Sequence, residues 1–278
     1  MKHPGIEWIR RRIFKQNKNV IIIINGATGA GKTFCALSLG CTLSQEFGTN
    51  FNVNDNLDFK FANFIKKTTL PQNQMKGTCF IFEEVGAAGG GASSREWQSK
   101  ANLLFNSFLQ TIRHRNQILI MTTPYFSFLD VASRKLVHIQ IDMQYINFQT
   151  KQSVGKPYFM QVNSRTGKMY FKLLRYRVDD KITKLSGWVF PHPPKEITIE
   201  YEKLKCEYTT DLANMITEDK KAKVKKDMSI VDNDVIKALM SQNKYTQEEM
   251  ADKLKISLRT LQRHIYAIRN EKFPEIEK

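Results

Sequence analysis

The sequence has little of what a disulfide framework, a zinc site or a membrane span would require. Four cysteines occur among 278 residues, with no C-x-x-C pair and no histidine at metal-ligand spacing, so neither disulfides nor zinc are indicated. The longest apolar run, residues 20–24, is far shorter than the roughly 20 residues that cross a bilayer. No apolar run of secretory length follows the basic start of the chain. We therefore predict a cytoplasmic protein that makes no use of a membrane.

Acidic residues are scarce in the first two thirds of the chain. Residues 1–194 hold 26 lysines and arginines against 11 acids, whereas residues 195–278 hold 17 against 16, and the whole chain carries a net charge of +16. A surplus of this size predicts an anionic partner such as nucleic acid, and general solubility is the alternative. The 41% of hydrophobic residues are enough to form a core, which excludes a largely disordered chain.

Residues 26–33 (GATGAGKT) match the phosphate-loop pattern GxxxxGK[ST]. The β-branched run 20–24 precedes them as a predicted strand, and residues 33–47 follow as a predicted helix, which is the context that this motif requires. In such a loop, Lys32 contacts the β- and γ-phosphates and the Thr33 hydroxyl binds Mg²⁺. The predicted nucleotide-binding residues are Gly26, Ala27, Thr28, Gly29, Ala30, Gly31, Lys32, Thr33 and Phe34.

Two acids follow the next apolar run, residues 78–82. We assign Glu83 to the magnesium shell together with Thr33, and Glu84 to the catalytic base that activates water, because phosphoryl transfer needs both functions. Two exposed loop acids are the alternative. A third run, residues 117–122, ends in Thr122 and Thr123, which are predicted to lie beside the phosphate loop and to sense the γ-phosphate.

An arginine of one subunit can complete the site of another by stabilising charge in the transition state. Arg95, Arg113 and Arg115 are candidates for such a finger, and contact with DNA phosphates or a solvated helix face is equally compatible with the pattern. With Lys32, Glu84 and Thr123 they form the predicted catalytic set. The guanine-specificity pattern NKxD is absent, so the predicted cofactors are ATP and Mg²⁺.

The chain divides by composition into four predicted segments. They are a core at 1–150, a β-rich extension with a connecting helix at 151–205, a charged linker at 206–228, and a helix-turn-helix domain at 229–278. The extension contains a predicted hairpin turn at 163–167. The predicted fold class is α/β: a RecA-like (ASCE) P-loop NTPase with a mostly parallel sheet and helices on both faces, followed by an all-α domain.

The last segment is typical of a helix-turn-helix. Thr246 with Glu249 three positions later predicts a capping box, and Ser257 predicts the cap of the next helix. That helix would present its exposed face to DNA, and a module for protein contacts is the alternative. The predicted DNA-contacting residues are Arg259, Thr260, Gln262 and Arg263, with His264 near the same face.

Taken together, the phosphate loop, the Glu83-Glu84 strand end and the blocks at 94–100 (SREWQSK), 111–115 (TIRHR) and 122–124 (TTP) resemble viral and plasmid ATPases. The resemblance is to the FtsK and HerA motors and to the zonula-occludens-toxin-like ATPase domain, over roughly residues 18–205. It implies a ring, commonly a hexamer, that moves or packages double-stranded DNA by hydrolysing ATP. Glu83 departs from the usual aspartate, and Thr122-Thr123 from the usual glutamine.

An ATP-switched DNA-binding regulator or replication-initiation factor is the alternative function. A filamentous-virus assembly ATPase is a third possibility, but such a protein usually carries a membrane anchor, and this sequence contains no span.

Overall fold

The computed structural model describes residues 3–85, 95–178, 181–228, 233–242 and 244–271, without the side chains of 95–102, 215–228 and 271. The chain forms two compact units, Met1–Tyr208 and Thr209–Lys278. The sequence also predicts a glycine-rich loop at 86–91 and a helix cap at Ser93 or Ser94. These residues lie outside the described ranges, as do the side chains of Arg95 and Trp97.

The first unit is built on a mixed eight-stranded sheet and a separate two-stranded ribbon. Its strands are β1 Val20–Asn25, β2 Leu57–Asp58, β3 Cys79–Phe82, β4 Ile118–Thr123, β5 Ile139–Asn147, β6 Gln152–Val162, β7 Met169–Lys172, β8 Arg175–Val178, β9 Lys181–Lys184 and β10 Trp188–Phe190. The order in the large sheet is β10-β6-β5-β1-β4-β3-β2, with β7 also paired to β6, while β8 and β9 form the ribbon.

Strands β1 to β5 pair parallel with one another, and β6, β7 and β10 add antiparallel pairs, the first of them between β5 and β6. This confirms the predicted α/β class with a mostly parallel sheet. Strand β6 pairs with β5 along most of its length, so one sheet continues through the boundary that we predicted at residue 150. The predicted hairpin turn joins β6 to β7, where the Gly167 amide donates to the Asn163 carbonyl at 2.8 Å.

Helices cover both faces of the sheet. In the first unit they are α1 Pro4–Arg10, α2 Lys32–Phe47, α3 Val53–Asn56, α4 Phe61–Thr69, α5 Arg95–Thr111 and α6 Val131–Leu136, and α7 begins at Lys195. The side chains of β1 alternate between two cores. Val20, Ile22 and Ile24 pack with residues of α1 and α2, whereas Ile21 and Ile23 pack with residues of α4 and α5. A continuous β-branched run suits this strand because both of its faces are buried.

The segment that we predicted as a solvated linker is helical. Helix α7 runs without interruption over Lys195–Met228, so residues 206–228 continue it. Composition explains the difference, because the lysines and glutamates that indicate a solvated linker are also good helix formers.

The second unit contains three short helices: α8 Asn233–Ser241, α9 Gln247–Lys253 and α10 Leu258–Glu271. Thr246 and Glu249 form the capping box that we predicted at the start of α9. The buried apolar residues of this unit are Ile236, Met250, Ala251, Leu261, Ile265 and Ile268. None of the helices in the described ranges is long and apolar enough to cross a membrane.

Candidate functional site

The phosphate loop connects β1 to α2 at the carboxyl edge of the parallel strands. Gly29 and Gly31 have φ of 80° and 82°, a left-handed conformation that glycine adopts without strain. Helix α2 begins at Lys32, within the motif 26–33, so its free amide groups and the positive end of its dipole face the loop. The loop therefore has the geometry of an anion-binding site.

Lys32 lies inside this loop. Its Nζ donates to the carbonyl oxygens of Gly26 and Ala27, both at 2.9 Å. Burial lowers the pKa of Lys32, and the nearby charges of Glu83 and Glu84 oppose that shift. An anion bound in the loop would favour the charged form of Lys32 in the same way.

Glu83 follows β3 and is only 2% exposed. Its Oε1 accepts hydrogen bonds from the hydroxyl of Thr33 at 2.5 Å and from Tyr201 at 3.3 Å. Its Oε2 is buried and has no hydrogen-bond partner among the described residues. Burial raises the pKa of Glu83, and the hydrogen bond from Thr33 and the charge of Lys205 only partly offset this. Such a carboxylate is stabilised by a cation, and the oxygen atoms of Thr33 and Glu83 suit Mg²⁺.

Glu84 takes a backbone conformation that is unusual for a glutamate, with φ of 55°. Its amide donates to Oγ1 of Thr122 at 2.9 Å, so the end of β4 fixes the backbone from which this carboxylate projects. The carboxylate itself is 47% exposed and forms an ion pair with Lys205 at 3.2 Å. Unlike Glu83, it remains accessible from the cavity that it lines.

The two threonines at the end of β4 have partners within the protein. Thr122 accepts the Glu84 amide, and the hydroxyl of Thr123 donates to the Tyr125 carbonyl at 3.1 Å. Register places Thr122 opposite Ile24 and Thr123 opposite Asn25, beside the phosphate loop as predicted. Both line the cavity, but their hydroxyls hold neighbouring backbone.

A cavity of about 590 Å³ brings these groups together. Its lining is Thr28, Gly29, Gly31, Lys32, Thr33, Phe34, Glu83, Glu84, Thr122, Thr123, Pro124, Phe128, Ile146, Tyr201, Glu202 and Lys205. The last three belong to α7 and were missed by sequence reasoning, because no motif marks them and they lie more than a hundred residues from Glu83 in the chain.

Lys205 contributes a second cation to the cavity. Burial alone would lower its pKa, but the hydrogen bond and charge of Tyr201 and the charges of Glu83 and Glu84 outweigh burial and raise it. For Tyr201 burial acts in the other direction and, with a further contribution from the charge of Glu83, raises its pKa to about 12. At neutral pH, Lys205 is therefore charged and Tyr201 is a hydrogen-bond donor.

A smaller cavity of about 310 Å³ adjoins the first and shares Gly31, Phe34 and Ile146 with it. The rings of Phe34 and His192 lie 5.0 Å apart at its wall. Its lining is Gly31, Phe34, Ile146, Phe148, Lys151, Gln152, Ser153, Pro191 and His192.

Two of the candidate finger arginines, Arg113 and Arg115, line neither of these two cavities. Arg113 and Arg115 belong to a 3₁₀ helix, Ile112–Arg115, which precedes β4 at the opposite edge of the sheet. Arg115 donates to the Thr68 carbonyl at 2.8 Å. Arg113 is exposed. Burial of Arg12 lowers the pKa of Arg12 to about 10, and the charge of Arg113 is the second cause of this shift. Neither contributes to the site of its own chain, and their role as a finger in a neighbouring subunit stays a prediction; the side chain of Arg95 lies outside the described residues.

The predicted DNA-contacting residues divide into two sets on α10. Arg259 and Gln262 are exposed, whereas Thr260 and Arg263 are half-buried and the amide of Thr260 is bound by Ser257 at 3.1 Å. His264 is fully buried, and its Nδ1 lies 2.7 Å from Oδ1 of Asn233. Our placement of His264 near an exposed face was wrong, because it lies on the same helix face as Leu261 and Ile268, which form the core.

No family model matches the chain, and no curated protein matches it in sequence. Among solved structures, it is similar to the N-terminal domain of zonular occludens toxin from Neisseria meningitidis. The identity is 15% and the TM-score 0.32, over 56% of this chain and 95% of that domain. A match at this level carries no argument about function. Any functional proposal therefore rests on the geometry of the site described above.

Proposed function

We propose that this chain binds ATP with Mg²⁺ and hydrolyses it at the carboxyl edge of the sheet. The observation that carries the proposal is the 590 Å³ cavity, where the phosphate loop meets the cations Lys32 and Lys205 and the carboxylates Glu83 and Glu84. Anion-binding amides, a cation at the phosphates and an accessible carboxylate are the groups that phosphoryl transfer to water requires.

The residues of the loop bind and orient the phosphates. Its amides and the start of α2 hold the β-phosphate, and Lys32 exchanges its two carbonyl partners for phosphate oxygens. Thr33 and Glu83 would hold Mg²⁺, which supplies neutralisation of the charge on the β- and γ-phosphates when bound. The partnerless Oε2 of Glu83 supports this assignment, since a buried carboxylate oxygen without a donor is costly to maintain.

Glu84 is the base that accepts a proton from the attacking water. It is exposed to the cavity, and its position is fixed by Thr122 through the backbone. Lys205 holds the carboxylate now and would contribute positive charge beside the γ-phosphate. In this assignment Lys205 supplies within one subunit the charge that we first assigned to an arginine finger.

The smaller cavity is the site that we assign to the base and ribose. Its 310 Å³ lies within the usual size of ligand pockets, and Phe34 and His192 offer ring faces on which a purine can stack. Gln152 and Ser153 offer polar groups to the edge of the base. Because this cavity adjoins the phosphate loop, one nucleotide can occupy both cavities.

We further propose that the partner is double-stranded DNA and that hydrolysis drives its translocation or packaging for a mobile genetic element by a ring of subunits. The charge of +16 and the exposed Arg259 and Gln262 on α10 support DNA binding. The alternative, an ATP-dependent switch with slow turnover, is favoured by one contact. Lys205 pairs with Glu84 at 3.2 Å, and a carboxylate held by a cation is less available to an attacking water.

Steady-state ATP hydrolysis with and without long duplex DNA tests these proposals. We expect Lys32→Ala to abolish both nucleotide binding and hydrolysis, while Lys66→Ala, an exposed lysine of α4, changes neither. Stimulation by DNA supports the motor. Tight binding of ATP and DNA without stimulation supports the switch. Equal activity of the Lys32→Ala and Lys66→Ala variants would refute the site.

A further inference from the structure

A cationic groove lies in the β-rich part of the first unit, away from the nucleotide cavities. It has a volume of about 500 Å³ and is lined by Lys172, Leu173, Arg175 and Lys184. Its three cations come from three strands, β7, β8 and β9. Neither the phosphate loop nor the second unit contributes to the lining.

Two of these cations face each other across the ribbon. Arg175 is the direct antiparallel partner of Lys184, so both side chains lie on the same face. Like charges directly opposite each other destabilise a strand pair. Among the described residues, neither has an acidic partner, and the lining of the groove contains no acid. A bound anion between Arg175 and Lys184 would relieve this repulsion.

The surroundings of the groove extend its positive charge. Arg177 lies two residues beyond Arg175, on the same face of β8. On β7 and the turn before it, Lys168 and Lys172 lie 5.7 and 5.9 Å from the ring of Tyr170, which is 39% exposed. Lys172 also donates to Oε1 of Gln161 at 2.5 Å. This bond positions the ammonium group and uses one of its three protons, so the other two can bind an anion.

We propose that this groove is a binding site for the phosphate backbone of duplex DNA, separate from the face of α10. The proposal rests on the DNA binding proposed above and adds a contact surface to the ATPase unit itself. Nucleic acid fits better than a single small anion because the cations spread from β7 across both strands of the ribbon, and Arg177 continues them along β8. Cations that contact phosphates also bind without regard to sequence, which suits a protein that moves along DNA.

The test measures the affinity of the full chain for a labelled duplex of mixed sequence over a series of salt concentrations, without nucleotide. The groove variant is Arg175→Gln with Lys184→Gln. The matched control is Lys15→Gln with Lys66→Gln, which removes the same charge from two exposed lysines elsewhere in the unit. We expect the groove variant to bind about tenfold more weakly than the control. Its slope of log affinity against log salt should be smaller by about 1.8, the value for two lost phosphate contacts.

Thermal unfolding separates this effect from misfolding. The groove variant loses a like-charge pair, so its melting temperature should equal or exceed that of the natural chain. Equal affinity and salt slope in the groove variant and the control would overturn the groove. If the natural chain itself fails to bind duplex DNA, the DNA part of the proposed function fails as well. Hydrolysis of ATP without DNA is measured separately and tests the nucleotide site alone.

Discussion

The two edges of the parallel sheet use polar residues in different ways. At the carboxyl edge, Glu83 is buried with one oxygen unpartnered, and Lys32 and Lys205 line an open cavity. At the amino edge, Arg115 and Gln117 both donate to the carbonyl of Thr68 in the last turn of α4. Gln117 also donates to the carbonyl of Asn73, in the segment that follows α4. The sheet is the same, but one edge keeps polar groups available for a ligand and the other uses them to fasten loops.

This difference separates functional from structural charge in the part of the chain that carries the basic surplus. A cation outside any cavity that fastens a loop through a backbone carbonyl contributes to stability. Lys32 and Lys205 instead line a cavity beside carboxylates, where they are available to a ligand. Substitutions at the carboxyl edge should therefore change catalysis or ligand binding, and substitutions at the amino edge should change the free energy of unfolding.

The largest expected effect compares Glu84 with Arg113. Glu84→Gln removes the proposed base and should lower the hydrolysis rate at least about 100-fold while ATP still binds. Arg113→Ala should leave the rate within about twofold, because Arg113 lies at the other edge. Steady-state hydrolysis and a binding titration measure both variants. A large loss of hydrolysis in Arg113→Ala would mean that the amino edge of one subunit reaches the site of another.

At the amino edge, Gln117→Ala should destabilise the first unit by about 2–3 kcal/mol. Gln117 is fully buried, and its Nε2 donates to the carbonyls of Thr68 at 3.1 Å and Asn73 at 3.0 Å. Its loss removes one buried donor from each carbonyl, although Arg115 still donates to that of Thr68. Urea unfolding measures the change. Hydrolysis by the folded variant should be unaltered, and a loss of hydrolysis at full stability would contradict the structural role of this edge.

The assignment of the smaller cavity is tested by comparing ATP with inorganic tripolyphosphate, which lacks a base. Phe34→Ala should weaken ATP about tenfold and leave tripolyphosphate nearly unchanged, since only the base stacks on this ring. Tyr145→Ala is the control, because this exposed tyrosine precedes Ile146 on β5 and does not line either cavity. An equal loss for ATP and tripolyphosphate would show that Phe34 only supports the loop.

A pH dependence should arise at the amino edge from His138. Burial, followed by the charges of Arg12 and Lys18, lowers the pKa of His138 to about 3, and its Nδ1 lies 2.9 Å from the amide of Ile21. Below pH 6.5 the unfolded chain binds a proton that the folded chain does not, so stability is lost as the pH falls from 6.5 towards 3. His138→Gln should reduce this slope by up to about 1.4 kcal/mol per pH unit in urea unfolding. Identical slopes would contradict the buried neutral histidine.

The smallest expected effect concerns Glu83 at the carboxyl edge, where stability depends on pH in the opposite direction to that at His138. Because burial raises the pKa of Glu83, its ionisation costs stability as the pH rises above 4.5. Glu83→Gln should therefore increase the free energy of unfolding at neutral pH by about 1 kcal/mol while it weakens the effect of Mg²⁺ on ATP binding. Thermal unfolding and a magnesium titration measure the two changes. A less stable variant would show that Glu83 is structural.

Sequence reasoning worked where the determinant was local. The run 20–24, the glycines of the loop and the Thr246–Glu249 pair each specify a strand, a left-handed turn or a helix cap through neighbouring residues, and the structure forms all three. Composition alone does not separate an irregular linker from a helix at 206–228, which is helical. Sequence reasoning failed for His264, whose burial depends on helices packed against α10.

By itself, the sequence determined the phosphate loop, the acidic pair and the α/β class, because periodicity, β-branched runs and motif spacing are properties of adjacent residues. Only the tertiary structure decided which residues share the cavity. It brought Tyr201 and Lys205 of α7 to Glu83 and Glu84, and it placed Arg113 and Arg115 at the opposite edge of the sheet. The physical reason is that the direction of parallel strands and the packing of distant helices fix these positions, and neither is encoded in any single segment.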